Sequence, residues 1–191
     1  MAQENSLVSS WIVSRGNSWL ENLAIVLGGA LFISVLAQVA IPLPWTPVPI
    51  TGQTFGVAVM GLLWGYKRGT VSVLTYLGLG AVGLPVFAGG HAGITWAPTL
   101  GYLMGMAVSA GVLGWLADRG FTQTFLKTWL CACLGSLIIF TLGLSVLSFF
   151  IPKSQLLVAG FLPFLPGDIL KNLAAATAVT QIQTLKKKES Y

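Results

Sequence analysis

The chain has 191 residues, of which 55% are hydrophobic and only 8% charged, and its formal net charge is +5. This composition, with a mean hydropathy of +0.83, excludes an ordinary water-soluble domain and predicts a protein that folds in a lipid bilayer. With five acidic residues and one histidine, and with no HExxH, paired-carboxylate or Walker A pattern, the sequence also argues against an enzyme or an ATPase.

The first 21 residues are more polar than the apolar stretch that begins at residue 22, and they include Glu4 and Arg15. They lack a basic start followed by an apolar run, so we expect no cleavable signal peptide. We predict a cytoplasmic N-terminal extension at 1 to 21. It either lies on the membrane surface through residues such as Trp11 and Trp19 or forms a floppy tail.

Six apolar stretches come after this extension, each close to the roughly 20 residues that cross a hydrocarbon core of about 30 Å. The sequence therefore predicts an all-α membrane protein with six transmembrane helices in a domain at 22 to 185, then a basic cytoplasmic tail at 186 to 191. The second and third spans are short, so their ends are the least defined. The predicted spans are residues 22 to 41, 50 to 66, 69 to 84, 98 to 117, 128 to 150 and 161 to 185.

The basic residues orient these spans. Lys and Arg concentrate in cytoplasmic loops, and with an inside N-terminus only Lys153 falls in an outer loop, while Lys171 lies within a span. Both termini are therefore predicted to be cytoplasmic. The positive charge then faces anionic lipid headgroups and requires no nucleic-acid partner. The residues on the predicted inner side are Arg15, Lys67, Arg68, Arg119, Lys127, Lys186, Lys187 and Lys188.

Two predicted outer loops have unusual compositions. Residues 42 to 49 contain four prolines and no charge, which fixes the backbone and predicts a stiff, extended segment. Residues 83 to 93 are rich in glycine, which permits either a tight fold over a ligand or mobility. These loops predict a functional site on the outer side.

The last span holds two charged residues, Asp168 and Lys171. Such residues cost roughly 2.5 to 3.5 kcal/mol to insert and usually face a cavity, a partner or a substrate. Their i, i+3 spacing puts them on one helical face. Asp168 could instead cap the helix, and the pair could simply neutralise each other. A helix start beside an ammonium nevertheless favours an anion, and a carboxylate is the natural ligand.

Four motifs stand in order along the apolar part of the chain. They are residues 47 to 54 (PVPITGQT), residues 76 to 81 with 83 to 89, Pro98 and Thr99 with residues 101 to 103, and Asp168 with Lys171. Over about residues 22 to 185 they resemble the BioY family of biotin transporters. Departures are small: Gly52 stands where Leu is expected, and Ala97 and Leu100 stand where Gly is expected. The last two concern only the local backbone at the outer end of the fourth span.

The resemblance implies that the chain binds biotin on the outer side, as a transported substrate and with no cofactor. Biotin has a carboxylate tail, an apolar thiophane ring and a ureido group. Lys171 would pair with the carboxylate, and Asp168 would either accept a hydrogen bond from a ureido N–H or orient Lys171. The further candidates are Gln53, Tyr102 and His91 as hydrogen-bond partners and Phe87 and Trp45 as apolar walls.

The resemblance also implies the substrate-binding S component of an energy-coupling factor transporter, powered by two ATPases and a transmembrane coupling protein. Ala30 and Ser34 have the small-xxx-small spacing that lets helices approach closely, so they are candidates for docking that partner. Packing within the chain explains them equally well.

The rival function is a proton-coupled small-solute carrier or channel that uses Asp168 and Lys171. Cys131 and Cys133 have no nearby His in the sequence. We interpret them as small packing residues rather than as metal ligands.

Overall fold

The computed structural model describes residues 18–189, so almost all of the predicted N-terminal extension lies outside it. The described chain is mostly helical, and its last helix continues into the predicted basic tail. Its helices are α1 (Trp19–Gln38), α2 (Gln53–Ala81), α3 (Leu100–Asp118), α4 (Phe125–Leu147), the short α5 (Leu156–Gly160) and α6 (Leu165–Glu189), with 3-10 turns at Ala88–Gly90, Lys153–Gln155 and Leu162–Phe164.

Four stretches of the described chain are long and apolar enough to cross a membrane. They are Trp19–Gln38, Leu100–Asp118, Phe125–Leu147 and Lys153–Leu185. These correspond to the first, fourth, fifth and sixth predicted spans. The ends of the first three differ from the prediction by three residues or fewer, whereas the last stretch begins eight residues earlier than predicted. The second and third predicted spans fall together in α2, which carries Lys67 and Arg68 near its centre.

Helix α2 folds back on itself at Gly65, whose φ of 77° and ψ of −177° are not helical. In a straight helix Gly61 and Gly69 would lie about 12 Å apart along the axis. Instead, a Cβ atom on Gly69 would lie 3.2 Å from the Cα of Gly61. The two halves of α2 therefore run antiparallel in close contact, and glycine at position 65 permits the turn because its φ is positive.

The proline-rich loop is a β-hairpin, so the prediction of an all-α protein is wrong in this segment. Strand β1 (Ala40–Leu43) pairs antiparallel with β2 (Thr46–Thr51), with Ile41 opposite Ile50 and an irregularity in register between Ile41 and Leu43. The extended backbone that proline imposes is compatible with a strand, and an isolated hairpin tolerates residues without N–H groups because both strands are edges.

Small residues bring the helices close together, as expected where lipid supplies little hydrophobic drive for helix association. A Cβ on Gly105 of α3 would meet the backbone of Ile139 in α4 at 2.8 Å. A Cβ on Gly114 would meet the Gly65 carbonyl carbon at 2.5 Å, so α3 supports the turn in α2.

Ala30 and Ser34 belong to the same kind of close packing. Ala30 has 0% of its surface exposed and Ser34 has 8%, and the Ser34 hydroxyl donates to the Ala30 carbonyl oxygen at 2.7 Å. Neighbouring Gly29 lies against Trp64 and Ser72 of α2. The small-residue face of α1 is therefore occupied by α2, and packing within the chain, the alternative to partner docking, explains Ala30 and Ser34 in this structure.

Candidate functional site

A cavity of about 380 Å³ opens where the β-hairpin, the glycine-rich loop and the first turns of α6 meet. This volume lies within the range of small-molecule sites, which are mostly apolar with a few convergent polar groups. Its walls come from three groups of residues: Pro47, Val48, Pro49, Thr51, Gln53 and Thr54; Phe87, Ala88, His91 to Thr95, Ala97 to Leu100, Tyr102, Leu103 and Met106; and Ile139, Phe140, Phe164, Asp168 and Lys171.

Lys171 lies in the cavity wall, where the beginning of α2 approaches α6. Its Nζ donates to the Thr51 carbonyl oxygen at 2.9 Å and to the Thr54 hydroxyl at 3.2 Å. Both acceptors are neutral. An ammonium has three hydrogens, so one donor remains for a ligand after these two contacts. The site therefore offers a positive charge whose present partners do not neutralise it.

Asp168 lines the same cavity and has 7% of its surface exposed. Its Oδ1 accepts from the Ser136 hydroxyl at 2.8 Å, and its Oδ2 accepts from the Asn172 amide at 3.0 Å. Ser136 comes from α4, whereas Asn172 is one turn further along α6. The carboxylate is thus held by two neutral donors and keeps acceptor capacity on the cavity side.

One alternative interpretation of this pair does not fit the structure. Asp168 is not the N-cap, because α6 begins at Leu165 and Asp168 already lies in its first helical turn. The two charges attract each other, but each has hydrogen-bond partners of its own: the Lys171 ammonium donates to Thr51 and Thr54, while the Asp168 carboxylate accepts from α4 and α6.

Gln53 lines the cavity, but its polar atoms are engaged with protein. Its Oε1 accepts from the Thr51 hydroxyl at 2.8 Å, and its Nε2 donates to the Tyr76 hydroxyl. Thr51 is also the residue whose carbonyl holds Lys171. Gln53 therefore fixes the junction between the hairpin and α2, and this geometry favours a positioning role over the predicted ligand contact.

Tyr102 supports the opposite wall of the cavity. Its hydroxyl donates to the Gly160 carbonyl oxygen at 2.8 Å, and its ring packs edge-on to Phe140 with centroids 6.5 Å apart. A Cβ on Gly143 would overlap the Tyr102 ring, so only glycine fits beneath it. With its hydrogen already donated, the Tyr102 hydroxyl can offer a ligand only an acceptor.

Phe87 forms an apolar part of the wall and is held from behind by α2. Its ring packs edge-on to Tyr76 with centroids 5.4 Å apart. It also rests on Gly80, where a Cβ would overlap the ring. Gln53 holds the Tyr76 ring in place through its hydrogen bond to the Tyr76 hydroxyl, and the Tyr76 ring in turn packs against Phe87.

His91 lies at the cavity mouth and is exposed. Its Nδ1 lies 2.7 Å from the Ala88 carbonyl oxygen, which can only accept, so Nδ1 carries the hydrogen. Nε2 is left for water or a ligand. This placement is compatible with the predicted role as a hydrogen-bond partner.

Trp45 lies outside the cavity. It occupies the turn between β1 and β2, and 62% of its surface is exposed. Hairpin pairing carries residues 44 and 45 to the far end of the loop, away from the strand residues 47 to 49 that line the cavity. Trp45 is therefore not part of the apolar wall for which it was predicted.

Sequence reasoning missed Ser136 and the aromatic wall made by Phe140 and Phe164. Serine and phenylalanine are common in apolar helices, so neither has a distinctive local signal. Only the approach of α4 to α6 brings the Ser136 hydroxyl to Asp168. Within residues 18–189, no group of three or more His, Cys, Asp or Glu side chains is placed to hold a metal ion.

Comparison with known proteins identifies close relatives. The BioY family model matches residues 5–188. The chain is 38% identical to the biotin transporter BioY of Thermotoga maritima, over 81% of this chain and 90% of that protein. It is 34% identical to the biotin transporter BioY of Rhizobium etli, over 77% and 86% respectively. Among solved structures, it resembles the S-component for biotin from an ECF-type ABC transporter, with a TM-score of 0.81 and 29% identity over 88% of this chain and 94% of that one.

Proposed function

The chain belongs to the BioY family, and from this premise we propose that it binds biotin and takes it up across the cell membrane as the S component of an energy-coupling factor transporter. It is a multi-pass membrane protein and a transporter component rather than an enzyme. Biotin is its substrate, and no cofactor is implied.

The observation that carries the proposal is one cavity with two polar groups of opposite hydrogen-bonding character. Lys171 offers an N–H donor and a positive charge, while Asp168 offers acceptor lone pairs. Biotin matches both, because its carboxylate is an anionic acceptor and its ureido group carries two N–H donors. Charge-assisted hydrogen bonds of this kind are about twice as strong as neutral ones.

Apolar residues in the wall of the same cavity suit the thiophane ring and the aliphatic tail. Phe87 and Phe140 present aromatic surface, and Met106 and Ile139 present aliphatic surface. Removing such groups from water on ligand binding contributes roughly 25 cal/mol per Å². The apolar wall would thus supply affinity, while Lys171 and Asp168 fix the orientation of the ligand.

For topology we propose six spans within residues 22 to 185, with both termini cytoplasmic. The two antiparallel halves of α2 would provide the second and third spans, with Lys67 and Arg68 near the turn on the cytoplasmic side. The distribution of basic residues supports this orientation. The hairpin and the glycine-rich loop would then face outward, where biotin arrives.

We further propose that the energising module consists of two ATPases and a transmembrane coupling protein. Because Ala30 and Ser34 are buried, the coupling protein would meet the other face of α1, where Ala24 and Gly28 are exposed at the same small-xxx-small spacing. A Cβ on Gly28 would have no neighbour within 4 Å. Gly28→Leu should therefore leave biotin binding unchanged and reduce capture of the module and uptake.

Ala30→Leu is the matched comparison for this surface. Added bulk at a fully buried position typically costs about 1–3 kcal/mol, so this variant should lose thermal stability and biotin binding together. Normal stability and binding in Ala30→Leu, with loss of module capture alone, would contradict the buried placement and restore Ala30 as a docking residue.

A titration of the purified, isolated chain with biotin tests the proposed function. We expect saturable one-to-one binding in the absence of any ion gradient. In a separate pull-down experiment, the chain should recover the ATPases. The rival is a proton-coupled carrier. Flux of radiolabelled solute that follows an imposed pH gradient, without biotin binding at equilibrium, would favour that rival and overturn the proposal.

A further inference from the structure

Three polar side chains form a cluster beneath the cavity: Ser136 on α4, and Asp168 and Asn172 on α6. The Cys133 thiol of α4 is a further neighbour of this cluster. Ser136, Asp168 and Asn172 are all buried. The Ser136 hydroxyl lies 2.8 Å from Asp168 Oδ1, and the Asn172 amide nitrogen lies 3.0 Å from Asp168 Oδ2 and 2.9 Å from the Ser136 oxygen. Each member therefore contacts the other two.

The hydrogens in this cluster can be counted. The Asn172 amide has two hydrogens, and it directs one to Asp168 and one to Ser136. The Ser136 hydroxyl has a single hydrogen. It lies 2.8 Å from Asp168 Oδ1 and 3.4 Å from Asn172 Oδ1, and the shorter, charge-assisted contact takes it.

The hydrogens of the Ser136 hydroxyl and the Asn172 amide are thus directed to other members of the cluster. An ionised carboxylate offers about four acceptor positions, and the two internal contacts use two of them. Since Asp168 is the member that lines the cavity, the cluster presents only acceptors to a ligand. A ligand with N–H donors therefore binds such a surface more tightly than a ligand without them. When a ligand without donors binds, the buried acceptor loses its hydrogen bonds to water and gains none in return.

We propose that Ser136 and Asn172 are specificity-determining positioning residues, which turn the Asp168 carboxylate toward the cavity as an acceptor for a ligand whose ring carries N–H donors. The inference rests on the proposed function and deepens it: the ligand class is a carboxylic acid with a cyclic urea or a similar N–H-bearing ring. A carboxylic acid of similar length without ring N–H groups, such as lipoate, is excluded.

The role of the two residues is indirect, so its test must show that they act through Asp168. We would titrate purified protein with biotin in a double-mutant cycle made of the wild type, Ser136→Ala, Asp168→Ala and the double variant. Ser136→Ala should weaken biotin binding about tenfold, because one of the two donors that orient the carboxylate is lost. In the Asp168→Ala background the same change should alter affinity less than about twofold.

A matched control separates this effect from the general loss of a buried serine. Ser109 on α3 is also buried, and its hydroxyl has no hydrogen-bond partner among the described residues. Ser109→Ala should leave biotin affinity within about twofold of the wild type. Thermal melting of each variant reports whether it still folds. A second double-mutant cycle uses Asn172→Leu in place of Ser136→Ala, because this change removes the other donor to Asp168 and keeps a similar side-chain volume.

Ligand selectivity gives a second readout. Wild-type protein should bind biotin well over a hundredfold more tightly than lipoate, since a site built to hydrogen-bond a ligand group rejects analogues that lack it. Ser136→Ala should reduce this ratio by weakening biotin alone. Equal effects of Ser136→Ala with and without Asp168, or unchanged affinity in Ser136→Ala, would overturn the inference while leaving biotin binding established. A wild-type protein that does not bind biotin would overturn the proposed function and the inference together.

Discussion

Lys171 and Asp168 lie within one turn of the same helix, yet different regions of the protein hold them. Lys171 is held by Thr51 and Thr54, at the junction of the β1–β2 hairpin with α2. Asp168 is held by Ser136 and Asn172, from two long helices. The position of Lys171 thus depends on the β-hairpin and the start of α2, whereas the position of Asp168 depends on the helices α4 and α6.

Asp168 and Lys171 attract each other, but their hydrogen bonds go to different neutral groups. Because each is satisfied separately by neutral groups, one keeps a spare donor and the other keeps spare acceptors. A ligand with an anionic end and an N–H-bearing ring fits this division, and substitutions that alter one side of it at a time should have separable effects.

The largest effect is expected from Lys171→Met, which removes the ammonium and retains most of the side-chain volume. Truncating one partner of a buried charged contact costs about 2–5 kcal/mol, so biotin affinity should fall by about 30-fold to several thousand-fold in an equilibrium titration. The protein should still fold, since the lost partners are a backbone carbonyl and a hydroxyl near the rim. Lys153→Met is the control, because Lys153 is exposed in the loop between α4 and α5, and its affinity should match the wild type.

Asp168→Asn should have the next largest effect, weakening biotin binding about 30-fold, as expected for the loss of a charged hydrogen-bond acceptor. The amide would also bring donors into a cluster whose neighbours already donate. As a control, Asp118→Asn at the other end of the bundle keeps an acceptor for the Tyr66 N–H and should bind biotin normally. Wild-type affinity in Asp168→Asn would mean that Asp168 serves the structure alone.

A smaller effect on biotin affinity should distinguish Phe87 from Trp45, the two aromatic residues that the sequence predicted in the cavity wall. Phe87→Ala removes a ring that lines the cavity and should weaken binding about tenfold, from the burial of an aromatic side chain. Trp45→Ala alters the exposed hairpin turn and should change affinity less than about twofold. If Trp45→Ala proved the more damaging, the hairpin would have to close over the ligand in the bound state.

Several residues that line the cavity could be predicted from the sequence because charge in an apolar span is conspicuous. Lys171 and Asp168 stand out from the hydropathy pattern alone, and the proline and glycine content of the two loops predicted to face outward indicated the end of the bundle at which the cavity lies. The helices α1, α3 and α4 were predicted to within a few residues for the same reason, since apolar length has few alternatives in a bilayer.

Other features depend on contacts between segments that are distant in sequence. Proline predicted an extended loop, but pairing of the two strands decides that Trp45 falls at the turn. The small-xxx-small spacing of Ala30 and Ser34 identified a packing face without indicating whether α2 or another protein covers it. Ser136 becomes informative only once α4 lies beside α6.

The central claim is that Lys171 and Asp168 contact opposite ends of one ligand. The direct test is to titrate the wild type, Lys171→Met and Asp168→Asn with biotin and with biotinamide, in which the carboxylate is replaced by a neutral amide. The wild type and Asp168→Asn should both prefer biotin by a similar factor, about tenfold or more, whereas Lys171→Met should bind the two ligands equally. An undiminished preference in Lys171→Met, or its loss in Asp168→Asn alone, would contradict the assignment of the two ends.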